Sequence, residues 1–454
     1  MKKELMKRSL DRRLRVKAFI VCLLLLATMV IGCDANKTTT GSDTLVNPTK
    51  DELSDHSDPS KVEQNDHVAT LVSPAKVKPI GHYSELPNSF RKALWDFAFK
   101  TSGLALTVKG DENALYSPIS LYYALAMVEA GAGGQTKADL RTVLELTGEM
   151  DAGAALQKLY SMMLHDGTSE ELVANAVWMR LELGDQVSQE WLDQLASHFY
   201  ASAFKVDFND KATAETMSKW VEEQTRGKIK PEIDLSEADM ILMNTLYFKA
   251  DWASAFEEVN NRQDFFYTSL AIPCEVTFMN AKYDDQEYLV ADEFRASAIK
   301  LKNGKIDFIL PNEGVLPETL LANPDFLKLV YEGKRQTANV VFSIPKFSYR
   351  VKIDVFEKME ALGLRDMLQN KPDFSVMLPA QKAEVSKITQ EAFIDLNEQG
   401  VEAAAYTEIA MRCTSVPIQD DFVEMIFNRP FIYVISDDAG VPLFVGVINN
   451  PLKE

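Results

Sequence analysis

The residue types from which a hydrolase builds a catalytic site are scarce in this chain. Only five histidines occur in 454 residues, and three of them lie in a polar stretch near the N-terminus. A Ser-His-Asp hydrolase would therefore depend on His165 or His198, and the chain contains no G-x-S-x-G elbow to present a nucleophile. We expect both histidines to be solvated or structural, which argues against a hydrolase.

Three further segments resemble catalytic or phosphate-binding motifs but lack what such sites require. The glycine-rich run at 131–136 follows a helical pattern and lacks the Gly-Lys-Ser/Thr ending of a phosphate loop, so it predicts a helix-ending turn. The S-x-x-K spacing at 73–76 and 343–346 contains a proline, which disfavours the helical turn that would bring Lys beside Ser. The chain also contains no H-E-x-x-H, C-x-x-C or EF-hand pattern. We therefore expect neither a metal nor a cofactor.

The elements that must position any site are distributed unevenly along the chain. Helical patterns come first, at 90–98, 118–130, 135–146, 152–164, 188–198 and 212–225. Strand-like apolar runs follow, at 241–248, 298–310, 339–344, 392–396, 431–435 and 443–448. Because helices and strands do not alternate regularly, and no long linker interrupts 84–454, the pattern predicts one α+β domain over that range.

The N-terminus has the features of a secretion signal. Eight Lys and Arg residues occur within 2–17, and an apolar run of 14 residues then extends from Ala18 to Ile31. Such a run is short for a bilayer span and typical of a signal peptide. The run ends at Gly32-Cys33, which resembles the bacterial lipobox. The prediction is a lipoprotein signal peptide at 1–32 and lipidation of Cys33, with a plain signal peptide and an incidental Cys as the alternative.

The following stretch, 33–83, is predicted to be a disordered tether. It is rich in Asp, Ser, Thr, Asn, Lys and Pro and has few large apolar residues, so burial cannot offset the entropy of ordering it. The net charge of −19 argues against a nucleic-acid partner, which would need clustered Lys and Arg. We expect a bacterial envelope protein outside the cytoplasm, at the outer membrane or cell surface, that contacts the membrane only through its lipid.

Six short blocks, in order along the chain, resemble the serpin family. The resemblance covers the chain from about Ser84 to Leu452. The blocks are NALYSPISLYYALAMVEAGAGGQT at 113–136, WVEEQTRGKI at 220–229, MNTLYFKADW at 243–252, IPKF at 344–347, NEQGVEAAAYT at 397–407, and MIFNRPFIYVI at 425–435 with LFVGVINNP at 443–451.

The resemblance implies an α+β fold of three β-sheets and about nine helices, with an exposed reactive-centre loop near the C-terminus. In the family, a target protease cuts this loop and becomes acyl-linked to it, and the loop then inserts as a strand into the large sheet. The chain would thus be a monomeric inhibitor of serine endopeptidases, with cysteine endopeptidases as further candidates, and not an enzyme. The alternative is a non-inhibitory serpin-fold binding protein on the cell envelope.

By the resemblance, the block at 397–407 is the hinge of the reactive loop. A strand that enters a packed sheet needs small or apolar side chains at alternate positions. Val401, Ala403 and Ala405 share the parity that suits the buried face. An ordinary helix is the alternative interpretation, since Glu and Ala favour helices. The predicted hinge residues are Glu398, Gly400, Val401, Glu402, Ala403, Ala404 and Ala405.

The family's spacing from Glu398 places the reactive bond between Thr414 and Ser415. A small β-branched residue before the bond favours an elastase-like or broad-specificity protease as the target. The loop is several residues longer than is usual in the family, so Arg412 and Cys413 stay open as alternatives. Arg412 would favour trypsin-like proteases, and Cys413 would make inhibition sensitive to oxidation.

The resemblance also implies a region where the large sheet opens. Ser117, Ser120, Asn244 and Gln390 would lie in it, and Trp252 would lie at the top of the sheet, where insertion begins. Two positions depart from the family pattern, because Gln390 stands where His is usual and Val401 where Thr is usual. An amide can both donate and accept hydrogen bonds, so we expect the polar network around Gln390 to survive.

Overall fold

Helices build most of the first half of the described chain, where the apolar periodicity predicts them. The computed structural model describes residues 67–77, 86–163, 170–235, 238–380, 382–401 and 422–453. Two of the α-helices in these residues, Leu181–Gly184 and Val355–Lys358, are single four-residue turns. The helices are α1 Asn88–Ala105, α2 Pro118–Gly131, α3 Gly134–Val143, α4 Ala152–Met163, α5 Leu181–Gly184, α6 Gln189–His198, α7 Lys211–Gln224, α8 Pro317–Leu321, α9 Phe326–Glu332, α10 Val355–Lys358 and α11 Leu364–Gln369.

Strands dominate the second half, and they include all six of the predicted strand-like runs. In the described residues they are β1 Val68–Val72, β2 Ala114–Tyr116, β3 Glu170–Arg180, β4 Ala201–Val206, β5 Met240–Asp251, β6 Arg262–Tyr267, β7 Pro273–Val290, β8 Phe294–Leu301, β9 Gly304–Pro311, β10 Gln336–Pro345, β11 Phe347–Asp354, β12 Lys387–Leu396, β13 Gly400–Val401, β14 Phe422–Ile426, β15 Phe431–Asp437 and β16 Pro442–Ile448.

Helix α2 lies at the centre of the fold, and its start follows local sequence signals. The Ser117 side chain accepts a hydrogen bond from the Ser120 backbone N–H, which satisfies one free donor of the first turn. Pro118 occupies the first helical position, where a missing N–H has no cost. Nearly every side chain of α2 is buried, so the helix is surrounded by other elements rather than lying on the surface.

One large sheet contains seven strands in the order β1-β4-β3-β5-β13-β12-β11. Its longest regular pairing joins β3 and β5, which are antiparallel over ten residue pairs from Glu170↔Lys249 to Met179↔Met240. The two-residue strand β13 lies between β5 and β12 at the middle of the sheet. Four of the predicted site residues, Asn244, Gln390, Gly400 and Val401, lie in its strands.

A second network of nine strands divides into two sheets at the long strand β7. The first part of β7 pairs with β6, its middle with β10, and Tyr288–Val290 at its end with β8. One resulting sheet is β14-β10-β7-β6 and the other is β8-β9-β15-β16-β2. The described residues therefore form three sheets with helices around them, and the predicted α+β class is confirmed.

A buried pair of tyrosines joins the seven-stranded sheet to the five-stranded one. The hydroxyl groups of Tyr349 in β11 and Tyr433 in β15 lie 2.7 Å apart, and Tyr349 also donates to the Ala114 carbonyl oxygen at 2.9 Å. Burial raises the pKa of both hydroxyl groups well above the usual value, so both stay protonated. Gly446 leaves room for the Tyr433 ring, because a Cβ there would lie 2.2 Å from the ring carbon Cζ.

The N-terminal boundary differs from the sequence prediction. The tether was predicted to extend over 33–83, yet Val68–Val72 forms a strand of the seven-stranded sheet. The apolar run VATLV is only five residues long and lies within a polar stretch, so it gives a weak sequence signal, and its order depends on the sheet edge that it joins. The predicted signal peptide at 1–32 and Cys33 lie outside the described residues. Within the described part of the chain, no helix is long and apolar enough to cross a membrane.

Candidate functional site in the seven-stranded sheet

The predicted hinge begins as a tight hairpin at the end of β12. The Asn397 N–H donates to the Gly400 carbonyl oxygen at 3.0 Å, and the Gly400 N–H donates back to Asn397 at 3.3 Å. After this two-residue turn the chain runs antiparallel to β12, with Val401 opposite Leu396. On its other side β13 pairs with β5, where Val401 is opposite Ala250. The hinge therefore enters the sheet as a new strand between β5 and β12.

Gly400 occupies a position where no side chain fits. Its φ angle is +153°, and a Cβ built on it would lie 2.1 Å from the carbonyl oxygen of Ala250. Any side chain at position 400 would therefore force the backbones of β13 and β5 apart. Glycine at this position thus allows the close approach that starts the strand.

Val401 lies on the buried face of the sheet. In β12 the side chains of Ile388, Gln390, Ala392, Ile394 and Leu396 are buried, and the residues between them are half-exposed. Residues directly opposite in an antiparallel pair share a face. Val401 is opposite Leu396, and only 3% of it is exposed. Its face therefore belongs to the core.

The turn of the hairpin is held by a buried carboxylate. The Glu398 side chain is 4% exposed, lies 3.0 Å from Lys346 Nζ, and accepts a hydrogen bond from Asn261 Nδ2. Burial by itself raises the pKa of this carboxyl. The hydrogen bonds from Asn261 and Lys346 and the charge of Lys346 together outweigh burial, so the pKa lies below its usual value. Glu398 is therefore ionised at neutral pH.

Trp252 lies at the same end of the sheet and contacts the turn through hydrogen bonds. Its indole Nε1–H donates to the Asn397 carbonyl oxygen at 2.9 Å, and its backbone N–H donates to Gln399 at 2.8 Å. The ring is 2% exposed and lies edge-on to Phe256. The Phe256 N–H in turn donates to the Glu398 carbonyl oxygen. The turn that precedes β13 is thus held by hydrogen bonds from Trp252 and Phe256.

Beyond the hairpin, β5 and β12 separate. Among the described residues these two strands pair directly at Ile241↔Lys387 and Leu242↔Ile388, where they are parallel. Between those pairs and β13 lie residues 243–249 of β5 and 389–395 of β12. As far as the described residues extend, the middle of the sheet is therefore a gap that is closed at its base and occupied by β13 at its top.

A polar cluster lies beside the base of the gap and contains four of the predicted residues. Gln390 accepts from the Ser117 N–H at 2.8 Å and donates to the Ser117 carbonyl oxygen at 2.9 Å. The Ser120 hydroxyl donates to Asn244 Oδ1. These four side chains are all buried. The network around Gln390 thus exists with an amide in place of the usual imidazole.

Sequence reasoning missed a fifth member of this cluster. Asn175 in β3 is fully buried, accepts from Asn244 Nδ2, and donates to the Phe199 carbonyl oxygen at 2.8 Å. The signal was present in the sequence as a single amide within the apolar run 173–179, which is unusual for a central strand. Only the pairing of Asn175 with Asn244 across β3 and β5 shows that the two amides meet.

The gap opens into cavities on both faces of the sheet. On the core side, a small cavity is lined by Ser120, Asn244, Gln390 and neighbouring apolar side chains. On the opposite side, a cleft lies between 241–245 and the linker that follows α7. Lys352 in β11 bridges that linker to β12, because its Nζ donates to the Glu232 carbonyl oxygen at 3.0 Å and pairs with Glu391 at 2.9 Å.

The remaining predicted residues lie outside the described part of the chain. These are Glu402, Ala403, Ala404 and Ala405 of the hinge, Arg412, Cys413, Thr414 and Ser415 of the reactive segment, and His165. His198 ends α6, and the described residues contain no group of three or more potential metal ligands. The structure therefore places the start of the hinge and Trp252 at one end of the gap, and Ser117, Ser120, Asn244 and Gln390 together near the other end.

Comparisons with known proteins agree with this architecture. A family model described as "Serpin (serine protease inhibitor)" matches residues 92–451. Wheat Serpin-Z1B is 31% identical over 368 residues, which cover 75% of this chain and 90% of the relative. Human corticosteroid-binding globulin is 28% identical, over 82% of this chain and 94% of its own. The crystal structure of the thermophilic serpin tengpin in the native state superposes with a TM-score of 0.73 and 25% identity, covering 85% of this chain and all of that one.

Proposed function

The chain belongs to the serpin family, and from that premise we propose that it inhibits serine endopeptidases by trapping them during cleavage of its own reactive loop. The family is one of protease inhibitors in general, although its members include proteins such as corticosteroid-binding globulin. Cysteine endopeptidases are further candidate targets. The protein would be consumed in the reaction and would not turn over as an enzyme.

The observation that carries the proposal is the position of β13. A strand that begins between β5 and β12 with a buried Val401 is the first step of an insertion that can continue along the gap. Since Val401 is opposite Leu396, Ala403 would come opposite Ile394 and Ala405 opposite Ala392. Both alanines would face the core, and their small side chains fit a packed interior without displacing their neighbours.

The chemistry of the trap follows from where the loop is cut. The target's nucleophile attacks the carbonyl carbon of Thr414, the peptide bond to Ser415 breaks, and the Ser415 amine leaves with a proton from the target's general acid. An ester then joins the target to Thr414. Insertion of the cut loop moves that ester away from the position where water could hydrolyse it. Arg412 or Cys413 would take the role of Thr414 if the reactive bond lies one or two residues earlier.

The specificity and location of the inhibitor are further parts of the proposal. A threonine before the reactive bond favours an elastase-like or broad-specificity target. A signal peptide at 1–32, a lipid on Cys33 and a polar connecting stretch would display the domain on the bacterial cell surface or outer membrane. The acidic net charge of −19 supports a protein partner rather than nucleic acid.

A carrier without inhibitory activity is the second candidate, and one feature favours it. The cleft between 241–245 and the linker that follows α7 is lined by Ile241, Met243 and Val221, apolar side chains of the kind that line small-molecule sites. Thr245 Oγ1, on the same strand, is buried and has no hydrogen-bond partner among the described residues. Similarity to corticosteroid-binding globulin is compatible with this candidate.

Incubation with proteases of different specificity separates the two functions. The full-length protein is mixed with elastase-like, trypsin-like and papain-like proteases, and the products are resolved by SDS gel electrophoresis and mass spectrometry. We expect an SDS-stable complex with the elastase-like protease, and a rise in the melting temperature of the protein once its loop is cut. Cleavage of the loop with release of active protease in all three mixtures would contradict the proposal.

A further inference from the structure

The strand β6 forms one edge of the sheet β14-β10-β7-β6. Among the described residues it pairs only with β7, so its outer side carries no further strand. The residues Arg262–Phe265 of this strand are all exposed. The opposite edge of the sheet is β14, which begins at Phe422. An uncovered edge presents backbone groups to which another strand can add.

The backbone groups of the odd-numbered residues of β6 point away from β7. The Tyr267 N–H donates at 2.8 Å to the carbonyl oxygen of Asn428, which lies outside β7. In an antiparallel pair every second residue bonds to the partner strand, and the residues between them direct their N–H and C=O groups away from it. Gln263 and Phe265 therefore also point outward. Because Asn428 covers the edge at Tyr267, the free part of the edge lies at Gln263 and Phe265.

The charges on this free edge have opposite signs two residues apart. Arg262 and Asp264 are both exposed, and Gln263 lies between them. The Asp264 carboxylate accepts a hydrogen bond from the Phe265 N–H at 2.7 Å and so occupies one outward donor of the edge. A strand that adds here must replace this hydrogen bond and must present charges opposite to those of Arg262 and Asp264.

A second copy of β6 meets both conditions in one register. Two copies related by a two-fold axis pair antiparallel, so the residue at the axis defines the register. An axis at Arg262 or at Asp264 places a charge opposite the same charge of the other copy. An axis at Phe265 requires the covered backbone of Tyr267. An axis at Gln263 instead places Arg262 of each copy opposite Asp264 of the other.

The apolar side chains beside this edge fit the same register. Phe265 is 50% exposed, Tyr267 is 48% exposed, and Val259, which lies just before β6, is 86% exposed. Val259 and Tyr267 are each four residues from Gln263, on opposite sides. An axis at Gln263 therefore brings Val259 of one copy to the same end of the contact as Tyr267 of the other. Burial of these side chains adds apolar stabilisation to the backbone hydrogen bonds.

We propose that two copies of this chain associate through their β6 strands, with the two-fold axis at Gln263. The Phe265 N–H then donates to the backbone of the other copy, which frees the Asp264 carboxylate to pair with Arg262 of that copy. The charges select this partner, because a strand without opposite charges at both positions is repelled or left unpaired. This association goes beyond the proposed function and differs from the monomer that the family resemblance implies.

The association places the two β14 strands at the outer edges of one continuous eight-stranded sheet. With about 4.8 Å between neighbouring strands, they lie about 34 Å apart. The contact at β6 therefore leaves both β14 strands uncovered. A pair of chains joined in this way presents two reactive segments to proteases.

Charge reversal in the full-length protein tests the pairing, with association measured by sedimentation over a range of protein concentrations. Arg262→Asp and Asp264→Arg should each associate at least tenfold more weakly than the wild type, because each places like charges together at both contacts. An equimolar mixture of the two single variants should associate as the wild type does, since all facing charges are then opposite. Melting temperatures close to that of the wild type show that both variants are folded.

A cysteine at the axis tests the register. The two Cα atoms of residue 263 should lie about 5.5 Å apart, a separation that a disulfide can bridge. We expect folded Gln263→Cys to form a disulfide-linked dimer when it is oxidised with diamide. Gln189→Cys, at an exposed position of α6, should give no more dimer than the wild type, whose own cysteines supply the background. Equal amounts of dimer from both variants would contradict the register.

Several outcomes would overturn the proposal. These are a wild type that stays monomeric at the highest concentration, association that both charge variants retain, and a mixture that associates as weakly as either variant alone. Contact through another part of the chain would give equal association in all variants, which also contradicts pairing at β6.

Formation of SDS-stable complexes with proteases is measured on the same samples and separates the pairing from inhibition. Inhibition by a protein that does not associate would support the proposed function and contradict the pairing. Association that responds to the charge variants in a protein that traps no protease would support the pairing and contradict inhibition.

Discussion

The two ends of the gap in the seven-stranded sheet are held by different kinds of interaction. At the top, the hairpin around Gly400 is held by the ionised Glu398 with Lys346 and by the indole of Trp252. At the base, the strands β5 and β12 pair directly, and the neighbouring contacts are hydrogen bonds between neutral groups such as Gln390 and Ser117. The contact that holds the top therefore involves a charged group, whereas the core-side contacts at the base do not; the ion pair of Lys352 with Glu391 lies on the opposite face.

This difference matches what each end has to do in the proposed mechanism. The top must hold a short strand of two residues in place, and a buried ion pair with additional hydrogen bonds holds one geometry strongly. The base must open when insertion proceeds, and neutral amide and hydroxyl groups can exchange partners without leaving a buried charge. The effects of substitutions at the two ends should therefore differ in size and in their dependence on pH.

The largest effect is expected for Val401→Arg at the top of the gap. Val401 is 3% exposed and faces the core, so a charged side chain there opposes entry of the strand. We expect the variant to be cut and released as a substrate, with loss of the SDS-stable complex and at least a tenfold higher inhibitor-to-protease ratio for full inhibition. The control is Gln399→Arg in the half-exposed turn, which should inhibit normally. Equal inhibition by both variants would show that Val401 does not enter the sheet.

The next effect is expected for Gly400→Ala, which tests how closely β13 approaches β5. A Cβ would lie 2.1 Å from the Ala250 carbonyl oxygen, and φ is +153°. We expect a loss of about 3 kcal/mol in the free energy of unfolding, measured by urea denaturation. Gly314→Ala is the matched control, since its φ is +82° but nothing lies within 4 Å of the added Cβ. That control should lose about 1 kcal/mol from backbone strain, and equal losses would contradict the close approach.

A smaller and pH-dependent effect is expected for Lys346→Met. Removing the ammonium leaves Glu398 buried with one partner fewer, which should lower the free energy of unfolding by about 2 kcal/mol at pH 7. The half-exposed lysine limits this value through solvent screening. Combining Lys346→Met with Glu398→Gln should restore much of the loss, because a neutral amide needs no counter-charge.

The pH dependence of this pair has a definite sign. The pKa of Glu398 lies below its usual value of 4.5 in the folded protein, so the ionised carboxyl stabilises the fold above pH 4.5. That contribution is lost as the pH falls through the folded-state pKa. The difference between wild type and Lys346→Met should therefore shrink below pH 4.5, as followed by denaturation at several pH values. A difference that stays constant down to pH 3 would refute the ion pair as the source.

The smallest effect is expected for Gln390→Ala at the base of the gap. The variant loses two hydrogen bonds to the Ser117 backbone, and we expect a loss of about 1–2 kcal/mol in the free energy of unfolding. Unlike the loss in Lys346→Met, this loss should be the same at pH 7 and pH 4, because no charged group is involved. Gln263→Ala, which removes an exposed amide hydrogen bond to Thr277, should change stability by less than about 0.5 kcal/mol. A marked pH dependence for Gln390→Ala would remove the contrast between the two ends.

Much of the fold and part of the site were predictable from residue patterns. Helix α2 was predicted at 118–130 and spans Pro118–Gly131, because Ser117, Pro118 and the apolar periodicity are local signals. The six strand-like runs all lie in strands. The sheet-opening residues were predicted through resemblance to the serpin family, and the structure brings Ser117 and Gln390 into contact across 273 residues of sequence.

Other features could not be predicted because they depend on residues that are distant in the chain. The short apolar run VATLV at 68–72 lies in a polar stretch that was assigned to the tether, whereas its order comes from the edge of β4 and from contacts to α6 and α7. Asn175 was missed because its role exists only where β3 brings it beside Asn244. A sequence pattern indicates the secondary structure that a segment favours by itself, whereas these two features depend on contacts with residues that are distant in the chain.

By itself, the sequence determined the α+β class, the positions of most helices and strands, the family to which the chain belongs, and the alternation that makes Val401 suitable for burial. Only the tertiary structure shows that β5 and β12 separate and that β13 lies between them. It also shows that Glu398 contacts Lys346 and Asn261, and that the strand β1 covers the edge of the sheet. The physical reason is the distance along the chain over which each effect acts. Propensity and periodicity act over a few residues, whereas strand order, buried ion pairs and edge closure each depend on groups that meet only after the chain has folded.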